Sequence, residues 1–199
     1  MSPQSVPSRE PPVSRRSSVA ASAGLGVFAA AIGYLLTYVL VGSEIREAVG
    51  DNVAEWKAVA WVFYEAHLID VEVSGRIGSF AGMSTLDLIA QSDTASATLL
   101  YVVPPLVLLA AGAVLAVRWN VTDLGEAVVA GAPVAIGYAV VMGLGAVVTE
   151  STTEASALGI EASSSIAPAL LPAIVLGGVL YPLVFATAGA AIAAVVATR

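Results

Sequence analysis

The sequence predicts an all-α integral membrane protein with four transmembrane helices and an external amphipathic helix at the interface. Three observations lead there. Apolar residues make up 58% of the 199, and mean hydropathy is +0.88, above the roughly half-apolar composition of soluble domains. The excess is gathered into four long runs whose interiors carry no acid, base or histidine, each long enough to cross a bilayer core of about 30 Å. Between the first two runs, Trp56, Trp61, Phe63 and Tyr64 fall within nine positions, out of thirteen aromatic residues in the chain.

Residues 1–18 are rich in Ser and Pro, with Arg9, Arg15 and Arg16. Such a composition builds no core, so a disordered cytoplasmic tail is expected. Ser14-Arg15-Arg16 suggests a twin-arginine export signal, but two serines follow the arginines where that signal wants large apolar residues. Positive charge holding the tail inside is the better reading. The first span covers residues 19–42, and its uncharged core from Val19 to Val41 gives about 34 Å of helix at ~1.5 Å per residue. Tyr34 and Tyr38 mark its outer end.

Residues 43–97 form the external segment. Val49, Val53, Trp56, Ala60, Phe63 and His67 recur at steps of three and four, with Glu47, Asp51 and Glu55 on another face. That periodicity predicts an amphipathic helix over about 52–67, opened by an Asn52/Glu55 capping box. The uncharged core, Ala58 to Tyr64, is too short to span, so the helix is expected to lie on the membrane surface, with Lys57 snorkelling. Trp56 and Trp61 lie about 140° apart on it, so at most one should be deeply packed. Beyond it, Leu68–Val73 fits a short strand, Ser74-Gly75 a turn, and Ser84–Gln91 a small helix.

The second span covers 98–117. Pro104-Pro105 falls inside it and predicts a kink, tolerated where neighbouring helices satisfy the freed carbonyls. A cytoplasmic turn follows at 118–124. Asp123 and Glu126 have capping-box spacing at the head of the third span, 125–149, which contains Pro133. An external acidic loop covers 150–166. The last span lies within 167–197, with an irregular start at Pro168–Pro172 and a kink at Pro182. Both termini are placed in the cytoplasm of a multi-pass cell-membrane protein, because five of the eight bases then lie inside and twelve of the fifteen acids outside. An acidic, lysine-poor surface fits adaptation to high salt.

Four patches resemble a family of uncharacterised multi-pass membrane proteins of halophilic archaea. They are Trp56 to His67, Leu100-Tyr-Val-Val-Pro-Pro-Leu106 on to Gly112, Gly131-Ala-Pro-Val-Ala-Ile-Gly-Tyr138, and Tyr181-Pro-Leu-Val-Phe185. Together they cover about a fifth of the chain. The resemblance implies an archaeal cell membrane and a fold of about four helices, a domain of unknown function with no assigned catalytic or binding residue.

Chemistry is sparse. Glu65, His67 and Asp70 are three potential ligands within six residues, but on a helix Glu65 lies about 200° from His67. One histidine without cysteine is a poor metal set. The expected reading is solvated Glu65 and Asp70, with His67 anchoring the helix end through hydrogen bonds. No metal or cofactor is expected. Ser151, Thr152 and Thr153 have no histidine to pair with, so no nucleophile triad can be built. No phosphate loop appears, and nucleic acid is excluded for want of a basic patch. The spans' interiors hold no residues for a proton relay. Ala29 to Gly33 and Gly177-Gly178 are small-residue surfaces, expected to pack within the chain. The expected function is therefore a non-enzymatic structural, accessory or partner-binding membrane protein. Its expected partners are the bilayer and another membrane protein. The alternative is a small transporter or channel subunit for a neutral or apolar solute, using the breaks at Pro104, Pro105, Pro133 and Pro182. Trp56, Trp61, Phe63 and His67 are the structural candidates of the external helix.

Overall fold

A computed structural model describes residues 15–49, 53–91, 95–157 and 160–199. The chain is mostly helical. Four helical stretches, Ser17–Ala48, Thr98–Arg118, Leu124–Val148 and Leu170–Ala197, are long and apolar enough to cross a membrane. The expected tail lies mostly outside the described residues; helix α1 runs Arg15–Val49.

The all-α expectation is corrected by a four-stranded antiparallel sheet, order β2-β1-β4-β3. Strands β1 (Val71–Ile77) and β2 (Phe80–Leu86) come from the segment after the first span. Strands β3 (Ser151–Ala157) and β4 (Ile160–Pro168) come from the expected acidic loop. Ser74-Gly75 lies inside β1, not in a turn. The chain reverses at Gly78-Ser79, where Gly78 has φ 58°, the left-handed conformation that a two-residue hairpin needs at its first central position. The β1–β4 pairing, Val71 opposite Pro168 through Ile77 opposite Ala162, ties the two hairpins together. Phe80–Leu86 being a strand, the small helix expected from Ser84 shrinks to α3, Leu88–Gln91.

Each later span is interrupted. Instead of a kink at Pro104-Pro105, the second span breaks into α4 (Ala95–Leu100) and α5 (Val103–Arg118), with the prolines in the first turn of α5. There their missing N–H groups have no carbonyl to leave unpaired. The third span divides at Ala132-Pro133 into α6 (Leu124–Gly131) and α7 (Val134–Val148), and the Asp123 side chain accepts from Gly125 N and Glu126 N at the head of α6. The fourth comprises α8 (Leu170–Pro172), a π-helical segment Ala173–Leu180, and α9 (Tyr181–Ala197), with Pro182 in the first turn of α9.

Close helix approach depends on glycine. A Cβ on Gly112 of α5 would run into the Ala186 carbonyl of α9, and one on Gly189 of α9 into the Leu109 carbonyl of α5. The two backbones therefore touch, gaining dispersion contacts that do not depend on water. The Ala29–Gly33 surface packs within the chain, with Ala29 and Ala30 buried and Gly33 against the Phe63 ring, and Gly178 meets Ala139. Two apolar clusters result. One lies mid-bundle around Leu108, Val134, Tyr138, Met142 and Ala186. The other lies beneath the sheet, around Ile45, Val59, Trp61, Val71 and Leu100.

Candidate functional site

Helix α2 spans Glu55–Glu65, shorter than the expected 52–67, and Asn52 lies outside the described residues. Its N-cap is Ala54, without a side-chain hydrogen bond. Glu55 instead accepts from Arg46 Nε at 2.6 Å and from the Tyr38 hydroxyl at 2.7 Å. Those bonds, the Arg46 one foremost, hold its carboxyl below the usual carboxylate range.

Every residue from Ala58 to His67 is buried. The surface-lying helix is thus corrected: α2 sinks between the bundle and the sheet. The reason is its composition, apolar all round over Ala58–Tyr64, which leaves no polar face to turn to water or headgroups. Trp61 is 1% exposed and its indole N–H donates to the Thr149 carbonyl at 3.1 Å; Trp56 is 42% exposed. Phe63 is buried and stands edge-on to His67, ring centres 4.6 Å apart.

His67 is fully buried at the end of α2. Its Nδ1 lies 2.7 Å from the Phe63 carbonyl, and its Nε2 lies 2.8 Å from the Tyr138 hydroxyl in the middle of α7. A carbonyl only accepts, so Nδ1 carries the proton, and Nε2 accepts from Tyr138. Burial pulls the imidazole down to about 4, so the ring is neutral at pH 7. Tyr181, at the start of α9, packs its ring 5.1 Å from His67, and the Tyr64 hydroxyl donates to the Met142 carbonyl at 2.6 Å. His67 and Tyr64 therefore fasten α2 to the third span, and Tyr181 packs the fourth against them. No buried side-chain polar atom among the described residues lacks a partner.

Glu65 departs from expectation. It is buried, not solvated, and its two oxygens accept from Leu88 N (3.0 and 2.9 Å) and Ile89 N (3.0 Å). Burial outweighs those bonds and pushes its carboxyl up to about 7. Asp70 is exposed, and Glu65, His67 and Asp70 do not converge. No cluster of metal-ligand side chains occurs among the described residues. Pro104, Pro105, Pro133 and Pro182 mark helix starts, and they are not brought together around a cavity.

Tyr138 and Tyr181 are the members sequence reasoning missed. Both sit away from the span ends, where tyrosine is otherwise concentrated, and that displacement was the available signal.

The sheet offers the other candidate surface. Residues opposite one another share a face, so Gly75, Ile77, Phe80, Gly82, Ala155 and Ala162 lie together. Near the bundle this face is covered, with Val71 fully buried. Towards the hairpin tips it is bare: Ile77 is 64% and Phe80 82% exposed. Together they line a shallow concavity of about 650 Å³. The reverse face carries Glu72, Ser74, Arg76, Thr152, Glu154 and Ser163.

A model of a family of unknown function (DUF7978) matches residues 1–197. No curated protein and no solved structure matches the chain.

Proposed function

Since the chain belongs to this family of unknown function, its role has to be argued from its own surfaces, and we propose that it is a non-enzymatic membrane protein whose bundle holds the β-sheet out as a docking platform for a protein partner. The observation that carries the reading is the bare apolar end of the sheet, where Ile77 and Phe80 stand exposed beside Gly82, Ala155 and Ala162 on one face, while the charged Glu72, Arg76 and Glu154 lie on the other. An exposed apolar patch with a polar surround is the usual mark of an interaction site. The outer β2 and β3 strands also leave backbone groups open to a further strand. The bundle supports the role of holder: Phe28, Val39, Val117, Leu144 and Leu171 point outward at 64–82% exposure, as suits lipid.

A photo-crosslinking side chain at Phe80 should yield one discrete adduct in intact cells, and the same group at Thr152, on the opposite face, should not. Equal smears from both positions would remove the docking reading. The orientation proposed puts the sheet outside and both termini in the cytoplasm. Ser156→Cys should then react with an impermeant thiol reagent on intact cells, and Thr122→Cys, at the opposite end of the bundle, should stay protected. The reverse pattern would invert the topology.

A second reading rests on the interruptions at Tyr101-Val102, at Ala132-Pro133 and through the π-helical segment. Broken spans are how transporters build solute sites, and a solute-dependent rise in melting temperature would favour it.

A further inference from the structure

A groove opens sideways between α1, α2 and α7, with a volume of about 260 Å³. That is below the roughly 300–1,000 Å³ of ordinary small-molecule sites. Its wall includes Ala31, Tyr34, Phe63, Tyr64, Val141 and Gly145, and its sheet end is framed by Trp56, Val148 and Thr149. From Val141 to Val148 it follows α7 for about 10 Å at ~1.5 Å per residue. Resting on the membrane reading, it faces the bilayer: Ala31 and Val148 are both exposed there.

The hydroxyls in the wall are already engaged. The Tyr34 hydroxyl donates to the Trp56 carbonyl, Tyr64 to the Met142 carbonyl, and the Thr149 hydroxyl to the Gly145 carbonyl. An occupant is offered apolar surface and aromatic rings, so it is hydrocarbon. At the mouth stands Lys57, the single lysine of the chain. Its ammonium gives one hydrogen bond, at 2.5 Å, to the backbone carbonyl of Glu150, and lies 5.6 Å from the centre of the Trp56 ring. Among the described residues the ion pair is Arg46–Glu55, and Lys57 pairs with no carboxylate. An ammonium has three donors, so a phosphate at headgroup depth finds both charge and hydrogen bonds there.

We propose that this groove is a binding site for one anionic phospholipid, a hydrocarbon chain lying between α1 and α7 and the phosphate held by Lys57. The complementary charge at the mouth and the closed-off hydroxyls inside favour a lipid over a partner helix.

The test uses the full chain with Trp119→Phe, reconstituted in phosphatidylcholine vesicles doped with chain-brominated phosphatidylglycerol or chain-brominated phosphatidylcholine. Bromine quenches tryptophan only at close range, and Trp56 lines the groove while Trp61 is buried. Quenching should saturate, at about five-fold lower mole fraction for the anionic lipid, the preference expected for one basic side chain at the membrane surface. Lys57→Gln should bring the two curves together. Ala31→Phe should fill the groove and remove the saturable component for both lipids; Val148→Phe serves the same purpose if the first variant fails to fold. Coincident curves in the parent protein would overturn the site, as would saturable quenching that survives both groove-filling changes. Loss of quenching in a parent that runs as a dimer would assign the groove to a second copy. Failure of the membrane reading would show separately, as protein that stays in solution without detergent and does not enter vesicles.

Discussion

His67 and Glu65, two residues apart, are buried with opposite consequences for pH. The imidazole drops from its ordinary 6.5 to about 4, so the unfolded chain binds that proton more readily and stability falls as pH drops from 6.5 towards 4. The Glu65 carboxyl rises from 4.5 to about 7, so its contribution is full below 4.5 and is lost as pH rises through 7. Between about pH 4.5 and 6.5 the two slopes oppose, and the melting temperature of the native protein in detergent should be nearly flat. Glu65→Gln keeps an acceptor for Leu88 and Ile89 but does not titrate, so its melting temperature should climb from pH 4.5 to 6.5. His67→Phe should fall over the same range, and should also lose about 1–3 kcal/mol at every pH for leaving the Tyr138 hydroxyl and the Phe63 carbonyl without their partner. A flat profile in Glu65→Gln would mean that the imidazole keeps its ordinary affinity for a proton in the fold, and a native protein that climbs as steeply as that variant would mean that the Glu65 carboxyl is ionised in the fold. At this scale the sequence marked His67 as a hydrogen-bonding anchor, because a lone histidine at the end of an aromatic helix has few other uses. The burial of Glu65 was not legible. It depends on two backbone N–H groups more than twenty positions away, and a backbone donor leaves no trace in the letters.

At the level of the element, α2 is the clearest case of local pattern meeting tertiary context. Its aromatic spacing pointed to a helix, and the 140° between Trp56 and Trp61 allowed at most one of the two rings to be deeply packed. Which one was decided by the sheet and the third span, which close over Trp61 and leave Trp56 at the mouth of the groove. Trp61→Ala should therefore cost about 3–5 kcal/mol, the range for a large buried aromatic. Trp56→Ala should cost clearly less, and chemical denaturation of the two variants in the same detergent compares them. Equal losses would contradict the burial described. The end of α2 was hidden for a different reason. Leu68 stands at φ 60°, the left-handed position after a helix where glycine is usual; leucine there gives no stop signal. The prolines were informative about where the later spans break. The π-helical stretch was not announced, since its eight residues are as apolar as any helix core, and the close approach of Ile69 and Met142 to Gly177 shows only once the fold is formed.

For the molecule as a whole, the four apolar runs were legible from composition alone, because a stretch of that length and hydropathy has few folded alternatives. The sheet was legible only in its first strand. β3 and β4 are short, rich in Ser, Thr and Ala, and acidic, a composition that reads equally well as a loop until a partner strand is supplied. Charge belongs to this scale too. Glu44, Glu47, Glu72, Asp87, Glu154 and Glu161 are all exposed at the sheet end. Their mutual repulsion is screened as the Debye length shrinks from about 10 Å at 0.1 M salt to about 3 Å at 1 M. The melting temperature in detergent should rise with potassium chloride over that interval, and a flat response would show that these carboxylates lie too far apart to matter.

The seam between β1 and β4 also sets a schedule for biosynthesis. The first hairpin leaves the ribosome with one edge of β1 open, and the strand that covers it follows roughly 80 residues later, a delay of about 4–16 s at 5–20 residues per second. During that interval a nascent chain exposes a sticky edge, so crowded translation should favour tangles between neighbouring chains. The same seam makes the two halves of the molecule mutually dependent. Fragments 1–120 and 121–199, translated as separate chains in one cell, should each be degraded alone and should survive together, and their joint survival would be read directly from the amount of each that accumulates.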